Sequence, residues 1–379
     1  MPLYHTDDQA MLADTVTGFM ADEGAIKQQL RHFRDANCQD GFGHALWKQF
    51  AEMGLTGMLA AESDGGLGMG HVEAGIVLRE IGRNLTPSPF LTTSVMGVTA
   101  LSGGSDDLRG RWLPGVIAGE SVLAVAIDEG PRHRPESIAL RAERAGNGFR
   151  LQGRKTFVVQ GASADAIVVA ARTSGGDSDR DGVTLFAVPR DADGIAHENV
   201  RLVDSAMAST VTFDNVVLDG DCVIGDVDGG RALLDKVLAA GRVGAAAELT
   251  GVGQGAFALT TGYLKTRKQF GKLIGEFQAL QHRAAQLYAE LEIADAAVIK
   301  AQQLLDGGSE KAELMTSVAK AKAAMACNLA VREGVQMHGG VGMTDEYDIG
   351  LYMKRDRSLA EFMGDRYYHA ERVARLSGY

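Results

Sequence analysis

From residue 6 to about 120, apolar residues recur at three- and four-residue spacing, as in GHALWKQFAEMGL and HVEAGIVLREIGRNL, which predicts amphipathic helices. ESDGGLGMG (62–70) and LTPSPF (85–90) interrupt them as loops rich in Gly and Pro. Near Ser121 the period shortens. SVLAVAID, GFRLQGRKTFVVQG, DAIVVAART, GVTLFAVPR and STVTFDNVVLDG are short, β-branched or alternating, and turn clusters such as AGNG and SGGDSDRDG separate them. About five to seven strands are predicted, ending near Ile224. After GDVDGG the helical spacing returns in three long Ala- and Leu-rich stretches, which predicts a bundle. The chain thus divides into an N-terminal helical domain (1–120), a central β-domain (121–225) and a C-terminal helical bundle (226–379). Strands and helices are segregated, so the fold is α+β and multidomain rather than a doubly wound sheet.

A chain of 379 residues is long enough for more than one structural layer or domain. Its net charge of −11 argues against general affinity for nucleic acid or an anionic membrane, although local basic clusters could still receive phosphates. No apolar run approaches bilayer length. The start, MPLYHTDDQAMLADTV, has early acids and no apolar core, so no secretory or transit segment is expected there. Cys38, Cys222 and Cys327 are widely spaced, without a C-x-x-C pair, which argues against a disulfide framework and against a zinc site. A cytoplasmic protein without a metal centre is expected.

Three short stretches invite a chemical reading. GVGQG (251–255) suggests a dinucleotide fingerprint, but such a fingerprint must follow a strand and open a helix; here helical text precedes it, and close helix packing explains the small residues better. In YLKTRKQFGKLIGEFQALQHR (263–283), Lys265, Arg267 and Lys268 crowd a helix end and Gly271 breaks it, which by itself is dipole compensation followed by a helix stop. QMHGGVGMTDEY (336–347) is a helix stop with a Gly pair that also lets backbone approach a phosphate.

Taken together in this order, with FAEMGLTGMLAAESDGGLG near the start and FVVQG in the β-domain, these segments resemble the acyl-CoA dehydrogenase family over nearly the whole chain. Within it the look is that of subunits of two-subunit enzymes, the small subunit of pimeloyl-CoA dehydrogenase among them. The resemblance implies an N-terminal helical domain, a β-barrel-like middle domain and a C-terminal four-helix bundle, in tetramers that bind FAD at subunit interfaces. By matching, Arg267, Gln269, Phe270 and Gln278 reach the FAD of a neighbouring subunit, and Gln336, Gly339 and Gly340 form the adenosine-pyrophosphate shelf. Phe157 and Val159 stand where relatives carry the Trp and Thr of a flavin-contacting strand, so that contact becomes apolar stacking. IDEGPRHRPES replaces a flavin- and substrate-binding segment that Asp128 and Glu129 partly preserve.

The other departure falls in SLAEFMGDRYYHAER (358–372). Counted from Glu346-Tyr347, the family's Glu-Gly-Thr lies on Met363-Gly364-Asp365, so Met363 replaces the base. The alternative position on an earlier helix, beside an Arg, is Gly241-Arg242, again without a carboxylate. A thioether cannot accept the α proton. Three possibilities follow: a non-standard acid such as Asp365, a Glu supplied by a partner chain, or no chemistry in this chain. Asp365 and Glu361 also read as solvated acids at a helix junction, Tyr367, Tyr368 and His369 as packing and interface residues, and His338 as either a bundle residue or a flavin neighbour.

The expected function is FAD-dependent α,β-dehydrogenation of an acyl-CoA thioester in lipid β-oxidation, with electrons passed to an electron-transfer flavoprotein. The chain would act as a homotetramer or as a heterotetramer with a Glu-bearing homologue. The alternatives are a structural subunit that completes a partner's FAD site, or another flavin-dependent oxidation on the same fold.

Overall fold

The computed structural model describes residues 3–379. Six helices open the chain: α1 Asp7–Asp22, α2 His32–Asp35, α3 His44–Glu52, α4 His71–Asn84, α5 Val98–Leu101 and α6 Asp106–Ile117. Side chains close in sequence start two of them. Thr6 and Gln9 form a reciprocal capping box on α1, and Ser105 caps α6. Eight strands follow: β1 Leu123–Ala126, β2 Arg141–Ala145, β3 Gly148–Val159, β4 Ala166–Arg172, β5 Val183–Pro189, β6 Ile195–Arg201, β7 Met207–Leu218 and β8 Val223–Ile224. The rest is α7 Arg231–Thr266, the small hairpin β9 Lys268–Gln269 and β10 Lys272–Leu273, then α8 Gln278–Asp306, α9 Ala312–His338, α10 Ile349–Glu361 and α11 Arg366–Leu376.

The chain packs as two compact units, one of residues 3–32, 71–86 and 242–379, the other of residues 33–70 and 87–241. In the second unit the strands form one mixed sheet in the order β6-β7-β3-β2-β4-β5-β8, with β1 pairing parallel to β4. β4 is buried along its whole length, which explains its unbroken apolar text. The sheet has eight strands where five to seven were expected, because the polar β2 and β6 gain their identity from pairing with β3 and β7. The longest pair, β3 with β7, runs antiparallel with register shifts between Leu151 and Gly153 and between Lys155 and Val158.

In the first unit α4, α7 from residue 242 onwards, α8, α9, α10 and α11 pack side by side. GVGQG lies inside α7, and its glycines are contact points. A Cβ on Gly251 would stand 1.9 Å from the Arg79 carbonyl of α4; one on Gly255 would stand 2.5 Å from the Tyr352 ring of α10. Close helix approach is therefore what these residues serve, and no strand precedes them.

Candidate functional site

α10 ends at Glu361 and α11 starts after Asp365, so residues 362–365 form a tight junction. Phe362 is extended, Met363 is left-handed at φ +61° and Gly364 has φ +98°. A left-handed backbone at a residue with a side chain costs of order 1 kcal/mol, and such strain collects at functional sites. Met363 is 3% exposed.

The acids around it are engaged elsewhere. Asp365 is the N-cap of α11, its Oδ1 accepting from the amides of Tyr367 at 2.9 Å and Tyr368 at 2.7 Å. Glu361 pairs with Arg357 one turn back at 2.9 Å. The amide of Gly364 donates to the Glu361 carbonyl. Buried His369 donates from Nε2 to the Met363 carbonyl at 2.9 Å. The Tyr368 amide and the His369 side chain thus hold the junction. Arg242 of α7 is brought to the same helix start: it is buried, and its Nη2 donates to the Tyr368 hydroxyl at 3.3 Å.

One residue of this cluster escapes a motif search. Lys320 of α9 is fully buried and donates to the carbonyls of Ala360 at 3.0 Å and Gly364 at 3.1 Å. Burial pulls its pKa down to about 7, against the opposing pull of Glu361, Asp356 and Asp365. The signal was in the text: Lys320 falls on the stripe Thr316, Ala319, Ala323 and Cys327, where a solvated lysine has no place.

At one end of the same helices stand two other sets of candidates. Arg267 follows α7, Gln269 ends β9, Phe270 lies in the hairpin turn, and Gln278 opens α8. All four are exposed, Phe270 at 90% and in a left-handed backbone of φ +53°. The Arg267 side chain has no carboxylate partner among the described residues. Gln336 lies in the last turn of α9 beside Arg283 and Arg332, in an open groove of about 520 Å³. Gly339 ends that helix at φ 64°, ψ −138°, a conformation open to glycine almost alone, and nothing lies within 4 Å of a Cβ added to it or to Gly340. Tyr263, one turn before Arg267, stacks on His338 at 4.5 Å, so the structure brings these two sets together. His338 is a bundle residue, its Nδ1 donating to the Gly334 carbonyl at 2.7 Å.

An unpaired guanidinium, an aromatic ring held out from the surface and bare glycine backbone are donors and platforms for an anionic, planar ligand, and they fit the pyrophosphate and ring systems of FAD.

In the second unit, Phe157 sits in the β3 bulge at φ +52° and Val159 two residues on, both half-buried. Lys155, fully buried, donates to the Ile127 carbonyl at 3.0 Å and to Glu129 at 2.7 Å. Glu129 also accepts from the amides of Ala139 and Leu140, and Asp128 from His133 and the Arg134 amide. These carboxylates are therefore fasteners of their own segment. Desolvation lowers the Lys155 pKa despite its Glu129 partner.

The architecture is that of a flavin-dependent oxidoreductase. The family descriptions of the acyl-CoA dehydrogenase N-terminal, middle and C-terminal domains match residues 6–120, 132–216 and 228–377. The chain belongs to the acyl-CoA dehydrogenase family, whose members are FAD-binding oxidoreductases. It is 32% identical over 318 residues to the acyl-CoA dehydrogenase FadE12 of Mycobacterium tuberculosis, covering 82% of each chain. It is 30% identical to the caffeyl-CoA reductase-Etf complex subunit CarC of Acetobacterium woodii, covering 81% of this chain and 83% of that one. Among solved structures, a variant of the Tcur3481-Tcur3483 steroid ACAD superposes with a TM-score of 0.88 at 28% identity over 98% of both chains. No helix among the described residues is long and apolar enough to cross a membrane.

Proposed function

We propose that this chain is a subunit of a heteromeric, cytoplasmic acyl-CoA dehydrogenase in which a Glu-bearing homologue supplies the base, with an electron-transfer flavoprotein as acceptor. The observation that carries this reading is the junction itself: Met363 occupies its left-handed apex, while Asp365 caps a helix and Glu361 is paired to Arg357. The reaction needs a carboxylate to take the α proton, and bound FAD would supply the acceptor for the β hydride. A base must lie within hydrogen-bond reach of that proton, and geometry precedes pKa. Relatives named as an electron-transfer flavoprotein complex subunit and as a paired steroid enzyme support a multi-chain assembly.

In this reading Arg267, Gln269, Phe270 and Gln278 reach a neighbour's FAD, Gln336, Gly339 and Gly340 carry its pyrophosphate, and Phe157 and Val159 offer apolar contact to the flavin. Arg242 stands near the substrate. The domains are 1–120, 121–225 and 226–379. The test is to purify the chain alone and with a Glu-bearing homologue, and to follow flavin bleaching on addition of acyl-CoA. Bleaching by the pair and not by the chain alone is expected. Full activity of the isolated chain would refute the heteromer.

Met363→Glu supplies the converse experiment. A carboxylate at a site 3% exposed is desolvated, which raises its pKa toward the working range of a base. The variant alone is expected to gain acyl-CoA-dependent bleaching.

A further inference from the structure

A break between two helices leaves carbonyls without helical partners, and buried carbonyls must find donors. Side-chain donors meet those of Ala360, Met363 and Gly364 here. Lys320 serves the first and last, and His369 the middle one. A cation buried to this degree is expensive, and closing a core would be served as well by an apolar side chain. What an apolar side chain lacks is donors for two carbonyls that bracket a left-handed apex.

We infer that Lys320 is the positioning residue for position 363: by tying the Ala360 and Gly364 carbonyls it fixes both ends of the turn and so sets where the side chain at 363 points. The inference rests on the reading that position 363 is where the family holds its base, and extends it to the residue that aims that position. The charged and titratable groups acting on the Lys320 amine are Cys327 on its own helix, Asp356 and Glu361 on α10, and Asp365 at the N-cap of α11, while His369 of α11 meets the same turn at the Met363 carbonyl. The other ion pairs between helices packed on α9 are closed among themselves: Lys322 with Glu290, Arg283 with Glu333, and Arg372 with Glu313. Because its pKa is drawn to about 7, the amine changes charge in the neutral range. A neutral amine keeps two N–H donors, so the tie persists but loses its charge assistance.

The test uses the full chain labelled with methyl-¹³C methionine, the Met363 signal being assigned by its loss in Met363→Leu. In the wild type that signal should shift with pH around neutrality. Lys320→Met should abolish the shift and speed amide exchange of Gly364 and Asp365 at least tenfold, with the amides of Val331 and Gly334 on the same helix unchanged. Lys320→Gln, which keeps two N–H donors without a charge, should recover much of the protection but not the pH response; it also serves if the Met variant folds poorly. A pH shift that persists in Lys320→Met would arise from another group and overturn the inference, as would exchange raised equally along α9. In the Met363→Glu background, Lys320→Met should lower the bleaching rate more than tenfold with little change in the acyl-CoA concentration needed for half-saturation. If Met363→Glu shows no bleaching while the methyl and exchange results hold, the functional reading fails and the positioning role stands.

Discussion

Replacing Asp365 separates a helix cap from a catalytic base. Its Oδ1 accepts from two amides, at 2.9 and 2.7 Å, in the first turn of α11. Removing an N-cap side chain costs about 0.5–2 kcal/mol, and two short charge-assisted bonds at a helix N-terminus put Asp365→Ala near the top of that range, about 1–2 kcal/mol. Asn caps nearly as well, so Asp365→Asn should cost only a few tenths of a kcal/mol. Native-state hydrogen exchange reads this locally: 1–2 kcal/mol corresponds to roughly 5- to 30-fold faster exchange at the Tyr367 and Tyr368 amides in the Ala variant. The Asn variant should stay within about twofold of wild type, as a few tenths of a kcal/mol require. In the assembled enzyme, acyl-CoA-dependent bleaching should survive Asp365→Asn. An Asn variant with wild-type amide protection and no flavin reduction would show that Asp365 is the base as well as the cap, and refute the reading in which a partner supplies it.

Arg267→Ala should weaken FAD retention by roughly ten- to hundredfold, the worth of a charge-assisted contact of about 1.5–3 kcal/mol, while Lys265→Ala changes it little; equal affinities by fluorescence titration would return both residues to dipole compensation. Gly251→Ala should destabilise by several kcal/mol in urea unfolding, since its Cβ would stand 1.9 Å from the Arg79 carbonyl and backbone must move; a wild-type midpoint would contradict the helix contact. Lys320 titrates near 7 in the fold and near 10.5 when unfolded, so between those values the unfolded chain binds more protons and stability rises with pH. Against Lys320→Met, wild-type stability should therefore climb by about 1.4 kcal/mol per pH unit from roughly pH 7 towards 10. A difference that stays flat would place the folded-state pKa near its ordinary value.

The α-then-β-then-α order was written in the chain because hydrophobic period is a local property: β4 and the long helices announce themselves by which residues must be buried. The proposal that Met363 stands where the family keeps its acid rests on the same local text, since motif spacing counts residues and Glu346-Tyr347 anchors the count. Polar β2 and β6 were not legible, because their strand identity comes from hydrogen bonds to β3 and β7 and not from their own side chains. Nor was the second employment of Asp365, Glu129 and Arg242, whose partners depend on which helix or strand starts beside them. Lys320 lies 43 residues before Met363 and reaches that junction only because α9 packs against α10 and α11. Sequence chooses the elements and the chemistry carried on them, while the pairing of buried donors with orphan carbonyls is decided only when distant helix ends meet, because an unpaired polar group in a core costs more than the order needed to satisfy it.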